Sequence, residues 1–373
     1  MERETPPLID TQAGLERLLP RLQAEAVAVD AEMDSFYSYR EKVCLLQFST
    51  EGGDYLVDTL AGLDLSVLAG FFRDPRVIKV FHAGENDIPY LRHFFGFEVE
   101  GLFDTYLAAR VLGYPRCSLA ALLEQHFGVK LEKKYQMADW RLRPLPEGQA
   151  RYARLDTRYL LQLSQILEGE LVRAGRLEEA RAEFARACRS EYVPRVFDPE
   201  GWARLPSVRE LTGQGRAILR ELYHWREGEA RRRDVALFRV VGDRALVDLA
   251  RRPPQSLQEL QSRPGVGGYA RRLMEVLNRA SSLPPIPLPR PGRPGGQPLP
   301  PDQEQAYQRL RHWRNQRAQE RGVEADRVAS NRLLRRLVEA APRDLEALAA
   351  VPGMEPWRAR EYGAEMLAVL QGS

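Results

Sequence analysis

Ala24-Glu25-Ala26-Val27-Ala28-Val29-Asp30-Ala31-Glu32-Met33 is an apolar, β-branched run that ends in two carboxylates. Its length and composition fit a buried strand. Successive side chains on a strand alternate, so Asp30 and Glu32 face one side. Downstream, Lys42 to Thr50 (KVCLLQFST) and Asp54 to Leu60 (DYLVDTL) flank Glu51-Gly52-Gly53, a hairpin pattern with a short glycine-containing turn. Val77 to Phe81 (VIKVF) predicts a further strand, and a helix follows from about Glu85 to Phe95. Helical patterns continue over 103–112, 118–127 and 147–168. Strands come first and helices accumulate, so the first 200 residues predict an α/β domain with a mixed sheet flanked by helices.

A chain of 373 residues exceeds one ordinary domain. The net charge of +3 conceals an asymmetry. Residues 1–100 hold 9 basic and 18 acidic side chains, whereas residues 201–373 hold 30 and 20. One end is suited to gather cations and the other phosphates, although solvated surface explains the same counts. Cys44, Cys117 and Cys188 have no metal-type spacing and read as reduced thiols of a cytoplasmic protein. No apolar run reaches the roughly 18 residues of a membrane span, and the acidic start MERETPPLID does not read as a secretory signal.

Beyond residue 200 the strand signal fades and a repeat emerges. At a constant offset of 88 residues, His224-Trp225-Arg226 meets His312-Trp313-Arg314, Leu246 and Leu249 meet Leu334 and Leu337, and Pro264-Gly265 meets Pro352-Gly353. Two copies of one small all-α domain are expected, over 206–282 and 302–373. Between them, 283–301 (LPPIPLPRPGRPGGQPLPP) is a Pro/Gly linker. The first copy is the more basic. Its Arg231, Arg232, Arg233, Arg271 and Arg272 are candidates for phosphate contacts. The second, closer to neutral, is left with weak binding or with packing against the first 200 residues.

Two further acids stand in suggestive places. Asp87 follows Phe81-His82-Ala83-Gly84-Glu85-Asn86, where it could equally complement a helix dipole. Tyr152 and Asp156 lie four apart on a helical pattern and so share a face. Asp30, Glu32, Asp87 and Asp156 are hard oxygen donors of the kind that bind Mg²⁺ or Mn²⁺. Two such ions can serve both the attacking and the leaving oxygen of a phosphodiester.

Asp-x-Glu on the first strand, an Asp past a strand ending in Phe-His, and Tyr-x-x-x-Asp on a late helix resemble the three motifs of DEDD-superfamily exonucleases, in the branch that uses Tyr. The other branch has a His five residues before the last Asp, where this chain has Arg151. Gln136-Met137-Ala138-Asp139-Trp140 with Arg143-Pro144-Leu145 is similar to a ribonuclease D segment. The repeat resembles tandem HRDC domains. The resemblance implies a ribonuclease-H-like exonuclease domain over 1–200, then two HRDC domains. It implies that Asp30, Glu32, Asp87 and Asp156 hold two divalent cations, Mg²⁺ or Mn²⁺, and that Tyr152 orients the attacking water. The implied reaction is 3′→5′ hydrolysis of RNA with a single-stranded 3′ end, tRNA precursors among the substrates, by a monomer without a membrane partner. Family members often carry Thr and Phe where this chain has Ala31 and Met33; Met33 borders the substrate by that likeness, and His82 either touches it or serves structure. A DNA exonuclease with the same chemistry and a non-catalytic nucleic-acid-binding protein remain as alternatives.

Overall fold

The computed structural model describes residues 7–288 and 299–372. Part of the expected linker, 289–298, lies outside them. In chain order the first domain runs α1 (Gln12–Leu18), β1 (Ala26–Met33), β2 (Val43–Ser49), β3 (Asp54–Asp58), α2 (Ala69–Arg73), β4 (Ile78–Phe81), α3 (Ile88–Phe95), β5 (Leu102–Asp104), α4 (Thr105–Leu112), α5 (Leu119–Phe127), α6 (Glu147–Arg158), α7 (Leu160–Arg173) and α8 (Leu177–Cys188). The strands form one sheet in the order β3-β2-β1-β4-β5. β2 and β3 make the expected antiparallel hairpin, closed by the Thr50 N–H donating to the Gly53 carbonyl at 2.9 Å. β1, β4 and β5 are parallel, so their C-terminal ends share one edge, where ligands of open α/β sheets collect.

Val27, Ala28 and Val29 are fully buried, and all seven residues of β2 are buried, which accounts for their continuous apolar reading. Three features depart from the sequence reading. β5, absent from it, is only three residues long. α3 begins at Ile88, with Pro89 in its first turn, so Asp87 is the N-cap rather than a helical residue. The predicted helix over 147–168 breaks at Tyr159 into α6 and α7. At that break Thr157 Oγ1 meets Ser49 Oγ at 2.7 Å and Arg158 pairs with Asp54 at 2.7 Å, tying the end of α6 to the hairpin.

The repeat is reproduced helix by helix. α9 (Gly213–Arg233), α10 (Leu237–Val240), α11 (Asp243–Arg251), α12 (Leu257–Gln261) and α13 (Ala270–Ser281) make the first helical domain. α14 (Pro301–Arg321), α15 (Ala325–Val328), α16 (Asn331–Ala340), α17 (Leu345–Ala349) and α18 (Pro356–Gln371) make the second. Each has its own apolar core, around Leu219, Leu222 and Leu273 in one and Leu310, Leu334 and Met366 in the other.

The described chain forms two compact units. One holds residues 7–32, 43–192 and 299–372, and the other holds 33–42 and 193–288. Within the first, the second helical domain packs on α8, where Arg327 meets Glu183 at 2.9 Å and Arg321 meets Glu179 at 2.5 Å. Of the two roles left open by its sequence, packing is therefore one that it takes. Within the second unit, segment 33–42 joins the first helical domain: the Ala236 N–H donates to the Tyr37 carbonyl at 3.0 Å, and the Arg239 guanidinium lies 3.7 Å from the Tyr37 ring centroid. No helix among the described residues is long and apolar enough to cross a membrane.

Candidate active site

β1 carries Asp30 and Glu32 at the edge where the parallel strands end, and alternation aims both at the face that α6 covers. From α6, Asp156 comes to the same spot, and carboxylate oxygens of Asp30, Glu32 and Asp156 lie within 4.8 Å of one another. Asp87 stands outside that triplet but within electrostatic reach of Asp30 and Glu32. It caps no helix with its side chain, although it occupies the N-cap of α3, so its carboxylate is left to the cluster. Tyr152, one turn before Asp156, is buried and hydrogen-bonded to it.

Asp104 at the end of β5 holds the Asp87 loop in place. Its carboxylate accepts the N–H groups of Ala83 (3.1 Å), Gly84 (2.7 Å), Tyr106 (2.9 Å) and Leu107 (3.0 Å). It thereby caps α4 and fixes the turn in which Ala83 adopts φ +60°. Sequence reasoning missed it, because the helical pattern was read from 103 and so took Asp104 into the helix that it caps. Trp140 and Arg143 of the ribonuclease D-like segment also have a structural task. Trp140 is buried beside Tyr152, and Arg143 chelates Asp58 at 2.6 Å, joining the segment to the hairpin.

The electrostatics are those of a cation site. Burial, opposed by a backbone hydrogen bond, pushes the Asp30 carboxyl up to about 7. Burial and then mutual repulsion push Glu32, Asp87 and Asp156 well above the usual carboxylate range. Among the described residues no Arg or Lys forms an ion pair with any of the four. Four hard oxygen donors, half-buried or buried and repelling one another, fit a divalent metal ion, which removes the repulsion and satisfies the oxygens.

The acids open into a cleft of about 710 Å³ lined by Asp30, Tyr152 and Asp156 and by His82, Glu85, Tyr106, Arg110 and Gln136. Of the two further substrate candidates of this domain, His82 is on that wall and Met33 is not. Met33 alternates to the opposite face of β1 from Asp30 and Glu32. Burial holds His82 down to about 4, so it is neutral near pH 7, and its Nδ1 lies 2.9 Å from Thr105 Oγ1. In the first helical domain the basic candidates divide. Arg232 and Arg272 both pair with Glu229 at 2.7 Å, and Arg233 donates to the Tyr269 hydroxyl at 2.7 Å. Arg231 and Arg271 are exposed and have no hydrogen-bond or ion-pair partner among the described residues.

This fold and this cluster are those of a candidate nuclease site suited to divalent metal ions, and comparison with known proteins is specific. Residues 6–172 match the 3′-5′ exonuclease family model, and 215–275 and 303–370 each match the HRDC domain. Ribonuclease D of Gluconacetobacter diazotrophicus is 32% identical over 98% of this chain and 93% of its own. The exosome complex exonuclease RRP6 of Saccharomyces cerevisiae is 40% identical over 61% of this chain; the match spans about a third (33%) of that longer relative. The crystal structure of Escherichia coli RNase D, described as an exoribonuclease involved in structured RNA processing, superposes with a TM-score of 0.61 at 27% identity, over 100% of this chain and 99% of that one. The chain belongs to the ribonuclease D family of hydrolytic 3′→5′ exoribonucleases, which use divalent metal ions.

Proposed function

We propose that this protein removes nucleotides one at a time from the 3′ end of RNA, releasing 5′-mononucleotides, with tRNA precursors among its substrates. The observation that carries the reading is the convergence of Asp30, Glu32 and Asp156 within 4.8 Å, without an Arg or Lys ion-pair partner among the described residues, beside a cleft that Asp30 and Asp156 line. These three acids and Asp87 would hold two divalent ions, Mg²⁺ or Mn²⁺, which when bound supply an activated water and charge stabilisation at the leaving 3′ oxygen. Tyr152 keeps its proton, because burial and the neighbouring carboxylates raise its ionisation far above neutral pH. It therefore acts as a hydrogen-bond donor and acceptor that orients the water, not as a base. Neutral His82 cannot serve as a general acid near pH 7; its place on the wall suits contact with the terminal nucleotide. The first helical domain adds affinity through Arg231 and Arg271. A monomer acting in the cytoplasm on RNA with a single-stranded 3′ end completes the reading.

The test is a timed digest of matched 3′-tailed RNA and DNA in Mg²⁺, Mn²⁺ and chelator, with product analysis. Stepwise release of 5′-mononucleotides from RNA, stopped by chelator, is expected. Preference for DNA would move the assignment to a DNA exonuclease. No release in either metal would leave a nucleic-acid-binding protein.

A further inference from the structure

An alternating chain of charges links the second HRDC domain to two points on the rim of the catalytic cleft. Glu85 pairs with Arg186 at 2.7 Å, Arg186 with Glu183 at 3.0 Å, and Glu183 with Arg327 at 2.9 Å. Arg327 pairs with Asp326 at 3.1 Å, and Asp326 with Arg110 at 3.1 Å. Glu324 holds the same nitrogen of Arg110. Glu85 and Arg110 both line the cleft, while Glu324, Asp326 and Arg327 belong to the second HRDC domain. Glu183 and Arg327 at the centre are each only 8% exposed, so this pair is desolvated and its removal leaves a buried charge behind. The backbones also touch at this seam: a Cβ on Gly113 would collide with the Gly322 carbonyl oxygen.

A second cavity, of about 560 Å³, lies along the seam between Tyr114 and Cys117 on one side and Gln319 and Glu324 on the other. It shares Tyr106, Arg110 and Ser118 with the cleft, so Arg110 stands where the two cavities join. Nη2 of Arg110 takes both carboxylates. Among the described residues its Nε and Nη1 have no hydrogen-bond partner. The acids thus orient the guanidinium and leave donors open, the arrangement that accepts a phosphate.

We propose that Arg110, oriented by Glu324 and Asp326 of the second HRDC domain, contacts a backbone phosphate upstream of the scissile bond. The inference rests on the exonuclease reading above. It makes Arg110 a substrate-binding residue and the acidic pair positioning residues. On this proposal a longer single strand extends past Arg110 into the seam and gains a contact that a dinucleotide lacks.

The experiment measures KM and kcat of the full-length protein on a dinucleotide and on a single-stranded RNA of about ten nucleotides. For Arg110→Met, loss of a charge-assisted contact should raise the long-to-short KM ratio about tenfold, with kcat on the long RNA within about twofold of wild type. The exposed pair Glu324→Gln with Asp326→Asn should raise that ratio about threefold, since Arg110 remains but is no longer held. An unchanged ratio for Arg110→Met overturns the contact. A lowered ratio for the double variant overturns the positioning role, because it would mean that the acids mask the guanidinium. If wild type releases nothing from either substrate, the exonuclease reading fails instead. Binding of the long RNA in chelator, compared between wild type and Arg110→Met, then still decides the contact.

Discussion

Replacing Asp30 with Asn should abolish nucleotide release yet stabilise the metal-free protein, and the gain should grow with pH. In the folded, metal-free chain the Asp30 carboxyl is pushed up to about 7 by burial, whereas an unfolded chain has it at about 3.9. Below about pH 4 both forms hold the proton and nothing is lost. Between about pH 4 and pH 7 the unfolded chain ionises first, so stability falls as pH rises, and above about pH 7 the loss is complete. A difference of about three pH units corresponds to about 4 kcal/mol for a fully isolated group. Asp30 is only half-buried and its neighbours share the repulsion, so about 1–3 kcal/mol is the expected gain from Asn at pH 8. For a unit of this size that is a rise in Tm of roughly 2–10 °C. At pH 5 the gain should shrink to less than half of that. The assay is thermal unfolding of chelator-treated wild type and Asp30→Asn at pH 5 and pH 8, repeated with Mg²⁺. Added Mg²⁺ should raise the Tm of wild type more than that of the variant. Equal Tm values for the two metal-free proteins at pH 8 would refute the picture of four mutually repelling acids awaiting a cation.

Asp156→Asn should lower kcat by about a hundredfold or more while RNA binding in chelator stays within about twofold, measured by nucleotide release and by filter binding. Tyr152→Phe should lower kcat about 10- to 100-fold with little change in KM, because the hydroxyl orients the water without holding the strand. Asp104→Ala removes the acceptor of four backbone N–H groups; a stability loss of about 2 kcal/mol is expected, with a fall in activity as the Asp87 loop shifts, read by denaturant unfolding and kcat. Arg231→Ala should reduce the salt slope of RNA affinity by about 0.7, whereas Arg232→Ala, whose side chain is held by Glu229, should change it less.

Much of the domain layout and the acid cluster was legible in the sequence, for physical reasons that can be named. The run Val27-Ala28-Val29 could only be buried, so the acids that follow it were set at a strand end. A repeat at fixed offset appears because each copy must bury the same apolar face: α9 and α14 are both 21 residues long and begin 88 positions apart. Short or composite elements were not legible. A strand of three residues such as β5 has too few positions to show alternation, and Asp104 is unremarkable until its four donors surround it. Arg272 read as a free charge because its partner Glu229 is 43 residues away along the chain, whereas the Arg232–Glu229 pair, three residues apart on α9, was a local pattern left unread.

By itself the sequence indicated four of the five strands, where helices would recur, and four acids and one tyrosine as candidates for a metal site. Those are local properties, written in periodicity, spacing and motif. Only the tertiary structure decided that the second HRDC domain docks on α8 through Glu183 and Arg327, that segment 33–42 joins the first helical domain, and that Arg110 stands where two cavities meet. Such pairings join residues up to about two hundred positions apart. Their partners are fixed by the packing of whole domains, and in a chain this rich in arginine and acid no local pattern singles out one pair from the many that charge alone would allow.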